Sequence, residues 1–495
     1  MNIRTSLSTL LIFALLAAAC SDDPDTPNPQ DPDTDLSDTG PDANEPDANE
    51  PDANEPDAED TPDVDGEPDA DDTPDVDDEP DAEEPPTCQE DSCTEAGRTR
   101  CEVVDDAITC LCDEGLVEVG DQCLEPFCDA QGLSEAQLLA DTSNTNVYTP
   151  RAIAGLGATY AVVWSDDLGE NSTNTDLYMA RFDRDGQQIG DNIALTDSPF
   201  FDEIGPHALA SDGEVFALAR IEYSATQNKE SLFLERFDAQ GQSLGVSAPL
   251  VEDRAIVSPN LVATDQGWLL SWKESLVEGG DYHWTHRLAA LSSTGELLAG
   301  PIDLTTYQAD AAPHMIWVED HAALVWRGYT DAAAENDATF FQRFDALAEP
   351  LDEAPIRVGE SHSYSPWVMW TGDHYAIVSI HNARYFLLNT LDADGEAVLV
   401  DEDLTTTSAN TYDTHAAWTG DAIALSWRDQ RALILQEFDP SGAPRDEPIA
   451  FEQGFSTSVP TLANLGDFMA LAWMRIDSAP NPMNAQLYMA TYCAH

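Results

Sequence analysis

The stretches PHMIWVEDHAALVW (313–326) and PWVMWTGDHYAIVS (366–379) decide the fold of this chain. Each opens on proline and alternates apolar with other residues. Each then turns at a step containing Asp and resumes the alternation. Five further stretches share the form: PRAIAGLGATYAVVW from 150, PHALASDGEVFALAR from 206, PNLVATDQGWLLSW from 259, THAAWTGDAIALSW from 414 and PTLANLGDFMALAW from 460. The openings stand 56, 53, 54, 53, 48 and 46 residues apart. Period-two runs broken by Gly, Asp and Asn, with no long helical stripe, read as paired antiparallel strands. Turns such as RFDRDG (181–186) and RFDAQG (236–241), each followed by a short strand, complete the units.

A period near fifty residues with about four strands per unit is the pattern of a β-propeller, and seven openings imply seven blades. The fold class is therefore all-β. The seventh unit stops after its third strand, NAQLYMATY (484–492). Its fourth strand is expected at the other end of the repeat, because FCDAQGLSEAQLLAD (127–141) reads like RFDRDGQQIGDNIALTD (181–197). In that alignment Cys128 and Cys493 meet at one hairpin split between the two chain ends. A Cys128–Cys493 disulfide is expected to clasp the ring, and the propeller is expected to span 127–495.

The chain carries 95 Asp and Glu against 20 Lys and Arg, a formal charge of −75. Such a surface repels nucleic acid and anionic lipid head groups. The acid is uneven: residues 22–87 hold 29 carboxylates and no Lys or Arg, whereas residues 129–495 hold 55 against 17 bases. The first of these segments repeats PDANE and PDVD and has almost no large apolar side chain, so burial cannot offset its ordering entropy. Proline and like-charge repulsion favour an extended chain, and about 66 residues at ~3.1 Å each reach roughly 200 Å at most. It reads as a stalk.

The N-terminus, MNIRTSLSTLLIFALLAAAC, has one base, an apolar run from Leu7 to Leu16 and small residues before Cys20. That is a signal peptide over 1–19, too short to span a bilayer comfortably. Its LAAAC ending resembles the bacterial lipobox, which implies that Cys20 is lipidated and heads the mature chain. A lipid anchor would be the only membrane attachment, with residues 20–87 as the linker above it. The resemblance favours an outer-membrane lipoprotein exposed at the cell surface.

Six cysteines in 88–123 (Cys88, Cys93, Cys101, Cys110, Cys112, Cys123) are spaced C-x4-C-x7-C-x8-C-x-C-x10-C. A short exported segment with so few apolar residues needs crosslinks in place of a core, and fifteen pairings are possible. The CLC step followed by DEGL and a last Cys resembles an EGF-like module, taken as residues 88–126. That resemblance implies Cys88–Cys101, Cys93–Cys110 and Cys112–Cys123. The residues before Cys88 do not match the calcium-binding subtype, so no metal is expected there.

In a propeller, ligands meet the channel mouth where each inner strand starts and each second strand ends. The residues after the blade openings are Arg151, His207, Asn260, His314, Trp367, His415 and Thr461. Near the second-strand ends lie Arg220, Lys273, Arg327, His381, Arg428, Arg431 and Arg475. Seven of the 17 bases in 129–495 thus gather near one rim, where low-dielectric walls focus their field on an anion. Arg forks suit carboxylate and sulfate. Local acids such as Asp202, Glu203, Asp310, Asp413 and Asp429 compete for the same bases. Alternate blades set His207, His314 and His415 across a wide channel, so neither metal nor cofactor is expected. The column Trp164, Trp272, Trp326, Trp427 and Trp473 reads as packing between blades. Trp317, Trp370 and Trp418 read the same way, with stacking on sugars as the alternative.

The body resembles sialidase-like and other bacterial seven-bladed propellers in repeat style only, and has no SxDxGxTW Asp-box. It also lacks the G-x-S-x-G, H-E-x-x-H and Walker patterns. The expectation is a binding protein that takes an anionic glycan or an acidic protein segment at the rim. Two alternatives stand beside it. One is a polysaccharide lyase acting on uronic acids through Tyr148, Tyr364 or Tyr412 with the rim His and Arg. The other is a structural scaffold of an envelope complex.

Overall fold

The computed structural model describes residues 88, 93 and 97–493. Outside the described residues lie the short stretches 105–106, 114–115, 120–121, 125–131, 143–147, 167–175, 197–201, 225–228, 253–254, 279–280, 305–310, 330–336, 360–362, 383, 405–413, 430–431, 454–455, 458–459, 467 and 478–483. The leader, Cys20, the acidic segment and Cys128 also lie outside them. Among the described residues there is no helix.

Seven antiparallel sheets follow one another along the chain. Their inner strands are Tyr148–Leu156, Asp202–Ser211, Ile256–Thr264, His314–Val318, Ser363–Trp370, Thr414–Trp418 and Thr461–Asn464. Each inner strand packs on the next, and the seventh packs on the first, so the ring closes. This is a seven-bladed β-propeller.

Strand alternation explains why the second strands read as nearly unbroken apolar runs. Successive side chains point to opposite faces of a sheet, and both faces of a blade are covered. In His321–Tyr329, Ala322, Leu324 and Trp326 pack toward blade 3, whereas Ala323 and Val325 pack toward blade 5. Seven separate apolar clusters result, one at each blade interface. The tryptophans at 164, 272, 326, 427 and 473 all face the preceding blade and are almost fully buried.

The third and fourth strands meet at a recurring hairpin. Asp238 Oδ1 accepts the amides of Gln240 and Gln242 at 2.9 and 2.8 Å. Asp345, Asp392 and Asp439 each hold the amides two and four residues on in the same way. In blade 3, Ser292 Oγ does the same for Thr294 and Glu296. These are local side-chain turns of the kind Asp and Ser favour.

Blade 7 is made from both ends of the chain. Its third strand, Asn484–Cys493, pairs with Met469–Asp477 on one side and with Gly132–Leu133 and Gln137–Thr142 on the other. The register sets Tyr492 against Leu133 and Cys493 against Gly132. Ser134 seals the joint: its amide donates to Thr491 O at 2.8 Å and its Oγ accepts the Thr491 amide at 2.9 Å. Gln137 Nε2 reaches Gly186 O of blade 1 at 2.9 Å, and Asn192 Nδ2 reaches back to Leu139 O at 3.1 Å. Cys493 takes the place held by Asp or Ser in the other hairpins and is disulfide-bonded.

The segment before the ring is a cysteine-rich module of two small hairpins, Arg100–Val104 with Ala107–Leu111 and Val117–Val119 with Gln122–Leu124. Disulfides join Cys88 to Cys101, Cys93 to Cys110 and Cys112 to Cys123, the connectivity that the resemblance implies.

Candidate ligand-binding rim

The third strands define one level around the ring. Four residues before the Asp, Ser or Cys that opens each hairpin, the third strand pairs with Val163, Ala219, Ser271, Val325, Val378, Ser426 and Ala472 of the second strands. Those residues pair in turn with Ala152, Ala208, Asn260, His314, Trp367, His415 and Thr461 of the inner strands. Asn260, His314, Trp367, His415 and Thr461 therefore share one level and one face, as their spacing from the blade openings suggests. Arg151 and His207 lie off that level. Each lies one residue ahead, beside an irregularity between Tyr148 and Ala152 or between Ile204 and His207. A one-residue offset turns a side chain to the other face. Accordingly, the His207 ring is buried against blade 1, with Nε2 donating to Val163 O at 3.1 Å.

The basic column divides in the same way. Lys273, Arg327 and Arg428 lie two residues beyond Ser271, Val325 and Ser426, on the face toward the following blade. The same position is Ser165, Ile221, Ile380 and Met474 in the other blades. Arg220 belongs to the opposite face. It is 7% exposed, and its Nε donates to Glu235 Oε2 at 3.1 Å, with Glu222 also in contact. Burial lowers its pKa, opposed by Glu235. Its partners are thus Glu235 and Glu222. Arg475 and His381 lie one residue past the basic level, and the Arg475 guanidinium sits 6.0 Å from the Tyr488 ring centre. Arg431 and Tyr412 lie outside the described residues. Tyr148 and Tyr364 stand opposite Ser165 and Ile380.

A sector from blade 3 to blade 6 therefore holds what the register brings together. Lys273 Nζ sits 5.0 Å over the Trp284 ring, a contact that holds an ammonium on an aromatic face. Arg327 is 3% exposed, while Arg428 is half-buried. Beside them three rings form a continuous stack across blades 4, 5 and 6. His314 lies 4.3 Å from Trp367, and Trp367 lies 3.7 Å from His415, between ring centres. Trp367 Nε1 donates to Thr414 O at 3.0 Å and fixes the stack. His314 Nδ1 accepts the Val368 amide at 3.2 Å, so the neutral ring carries its proton on Nε2. Desolvation lowers the His314 pKa to about 3.

Two groups near this sector escape a reading anchored on proline. His286, on the third strand of blade 3, is fully buried with Nε2 donating to Arg327 O at 3.1 Å. Its pKa falls to about 3, chiefly through burial; the Arg327 carbonyl opposes the shift and Lys273 adds to it. Arg287 bridges Glu274 at 3.3 Å and Asp303 at 2.8 Å. Counting back from the third-strand hairpins, rather than forward from the prolines, places both. At the opposite end of the ring, Asp320 and Tyr375 flank His321 at 3.0 and 2.5 Å. Burial raises the Tyr375 pKa to about 12, and its full enclosure leaves that group to structure. Among the described residues no group of three or more His, Cys, Asp or Glu is placed to hold a metal ion.

No family model matches the chain, and no curated protein matches it in sequence. Several solved structures are similar in fold. The β-propeller domain of the trilobed protease from Pyrococcus furiosus is 11% identical, with 69% of this chain and 95% of that one covered and a TM-score of 0.41. An α-L-arabinanase from Penicillium chrysogenum, complexed with arabinobiose, is 10% identical over 72% of this chain and 98% of that one, with a TM-score of 0.43. The Trypanosoma rangeli sialidase, in complex with sialic acid, is 10% identical over 70% of this chain and 54% of that one, with a TM-score of 0.36. Likeness at this level carries no argument about what this chain binds or does.

Proposed function

We propose that this chain is a lipid-anchored, surface-displayed recognition protein whose propeller binds an anionic ligand, a glycan or an acidic protein segment, over blades 3 to 6. The observation that carries this reading is the in-phase set Lys273, Arg327 and Arg428 beside the His314–Trp367–His415 stack, in a chain of net charge −75. Cations on one strand face in so acidic a surface give an anion a favourable place to settle. Arg327, being buried, contributes its field; Lys273 and Arg428 are the groups that reach a ligand. In the same reading Cys20 bears the lipid, residues 20–87 form the stalk, and the cysteine-rich module is EGF-like and acts as a spacer. The sequence patterns of the leader and of the six cysteines support these assignments.

The test is retention of the mature chain on immobilised polyuronate and polyglutamate. Binding is expected to weaken with salt, and Lys273→Ala with Arg428→Ala is expected to reduce affinity about tenfold, from roughly 0.7 kcal/mol per exposed charge pair. Salt-independent retention, or unchanged affinity in the double variant, removes the rim from the explanation.

A further inference from the structure

We infer that the hairpin joining the second and third strands of blade 3 is a recognition arm, and that Trp284, with Lys273 against its ring, is the platform on which the rim holds a sugar acid. This rests on the rim reading and narrows its ligand to an acidic glycan. The arm is visible in the strand lengths. From Ser271 the paired strands of blade 3 run seven residues on, to Glu278 opposite Asp281. From the same level those of blades 1, 5 and 6 run three, from Val163 to Asp166, Val378 to His381 and Ser426 to Asp429. At about 3.4 Å per residue the four additional pairs carry the arm roughly 13 Å farther than those hairpins. A blade does not need this length, because three of the seven are complete without it.

Trp284, on the arm, is set apart from the other tryptophans. Ten of the chain's eleven pack in the apolar clusters between blades. Trp284 belongs to none of the seven clusters and is partly accessible. Register puts it beside the rim cation. Lys273 pairs with His286 and Ser275 with Trp284, so these four side chains share one face of the arm. The Lys273 ammonium sits 5.0 Å from the Trp284 ring centre. His286 donates from Nε2 to Arg327 O of blade 4 at 3.1 Å, so that face looks toward blade 4, the next blade of the basic sector.

An accessible indole with an ammonium against it suits a pyranose that carries a carboxylate. The C–H face of the sugar lies flat on the indole, where contact is gained over a broad area. The carboxylate stands one bond off the sugar ring and meets the ammonium in a charge-assisted contact. Ser275, directly across from Trp284, adds a hydroxyl beside the ring, and a few such polar groups fix orientation in sites of this kind. An acidic peptide satisfies Lys273 and Arg428 but brings no ring to the indole.

The experiment is calorimetric titration of the mature chain with three probes: a hexauronate, its neutral carboxyl-reduced counterpart and hexaglutamate. The hexauronate is expected to bind best, with weaker binding of the neutral sugar. Trp284→Ala is expected to weaken both sugars about tenfold and to leave hexaglutamate binding and the melting temperature unchanged. If the alanine variant melts early, Trp284→Phe keeps a ring on the arm and is expected to lose about threefold at the parent's melting temperature. Unchanged hexauronate affinity in the Trp284 variants overturns the platform. So does an equal loss for hexauronate and hexaglutamate, which would mean that Trp284 only positions Lys273, or hexaglutamate binding as tightly as hexauronate. If Lys273→Ala with Arg428→Ala cuts hexauronate binding while Trp284→Ala leaves it intact, the platform fails and the rim reading stands. If the parent binds neither hexauronate nor hexaglutamate, both fall.

Discussion

At the residue scale, the most informative groups are those the acidic background cannot reach. His286 is sealed inside the interface of blades 3 and 4, and burial makes protonation unfavourable. The unfolded chain protonates this imidazole near its ordinary pKa of about 6.5; the folded chain does so only near 3. Between these values the unfolded state holds a proton that the folded state lacks, so stability falls as pH drops from 6.5 toward 3 and is unaffected above 6.5. His286→Gln removes this dependence. Urea midpoints of the two proteins at pH 7, 6, 5 and 4 are expected to diverge, with the parent falling more steeply by up to about 1.4 kcal/mol per pH unit. Parallel curves would mean that His286 is protonated as easily in the fold as outside it. The carboxylates titrating in the same window affect both proteins alike.

At the scale of the element, the third-strand hairpin sets the register that sorts every other side chain. Asp392 Oδ1 holds the amides of Asp394 and Glu396 at 3.0 and 2.8 Å, while Gly395 turns the chain at φ +86°. A Cβ at Gly395 would fall 2.6 Å from Ile356 Cδ1 of blade 4, so the turn also fits against its neighbour. Asp392→Ala leaves two amides to solvent and is expected to cost about 1 kcal/mol, read as a lower urea midpoint with an unchanged slope. Blade 4 makes the same turn with Ala348 at φ +62°, tolerated where the other described hairpins use glycine. The hairpin motif was legible in the chain as FDxxG, and so was the number of units. The facing of His207 and Arg220 was not. Irregularities near the blade openings insert residues that leave no mark in composition, and one inserted residue reverses a side chain.

At the scale of the whole molecule, closure depends on a strand from the far end of the chain. Gly132–Leu133 and Gln137–Thr142 cover an edge of Asn484–Cys493 that would otherwise be open to pairing with other chains. The disulfide at Cys493 holds this joint. With Cys128 as the partner proposed from the sequence, the closed loop would exceed 350 residues, and chain entropy would put its contribution on the order of 5 kcal/mol at most. Cys493→Ser is expected to lower the guanidinium midpoint of the oxidised protein and to expose the segment around residue 132 to protease. If the oxidised variant unfolds at the parent's midpoint, the latch contributes nothing to stability.

The sequence by itself determined the repeat, the count of seven blades and the split seventh blade, because period, turn chemistry and strand alternation are local properties that survive in one dimension. The grouping of rim residues came only from the tertiary structure. Which of two faces a strand residue occupies depends on the hydrogen-bond register with its neighbours, and that register is set by hairpins far from the residue concerned. Of the seven bases that gather near one rim in the sequence, the ring sets Lys273, Arg327 and Arg428 in phase on blades 3, 4 and 6, next to the His314–Trp367–His415 stack.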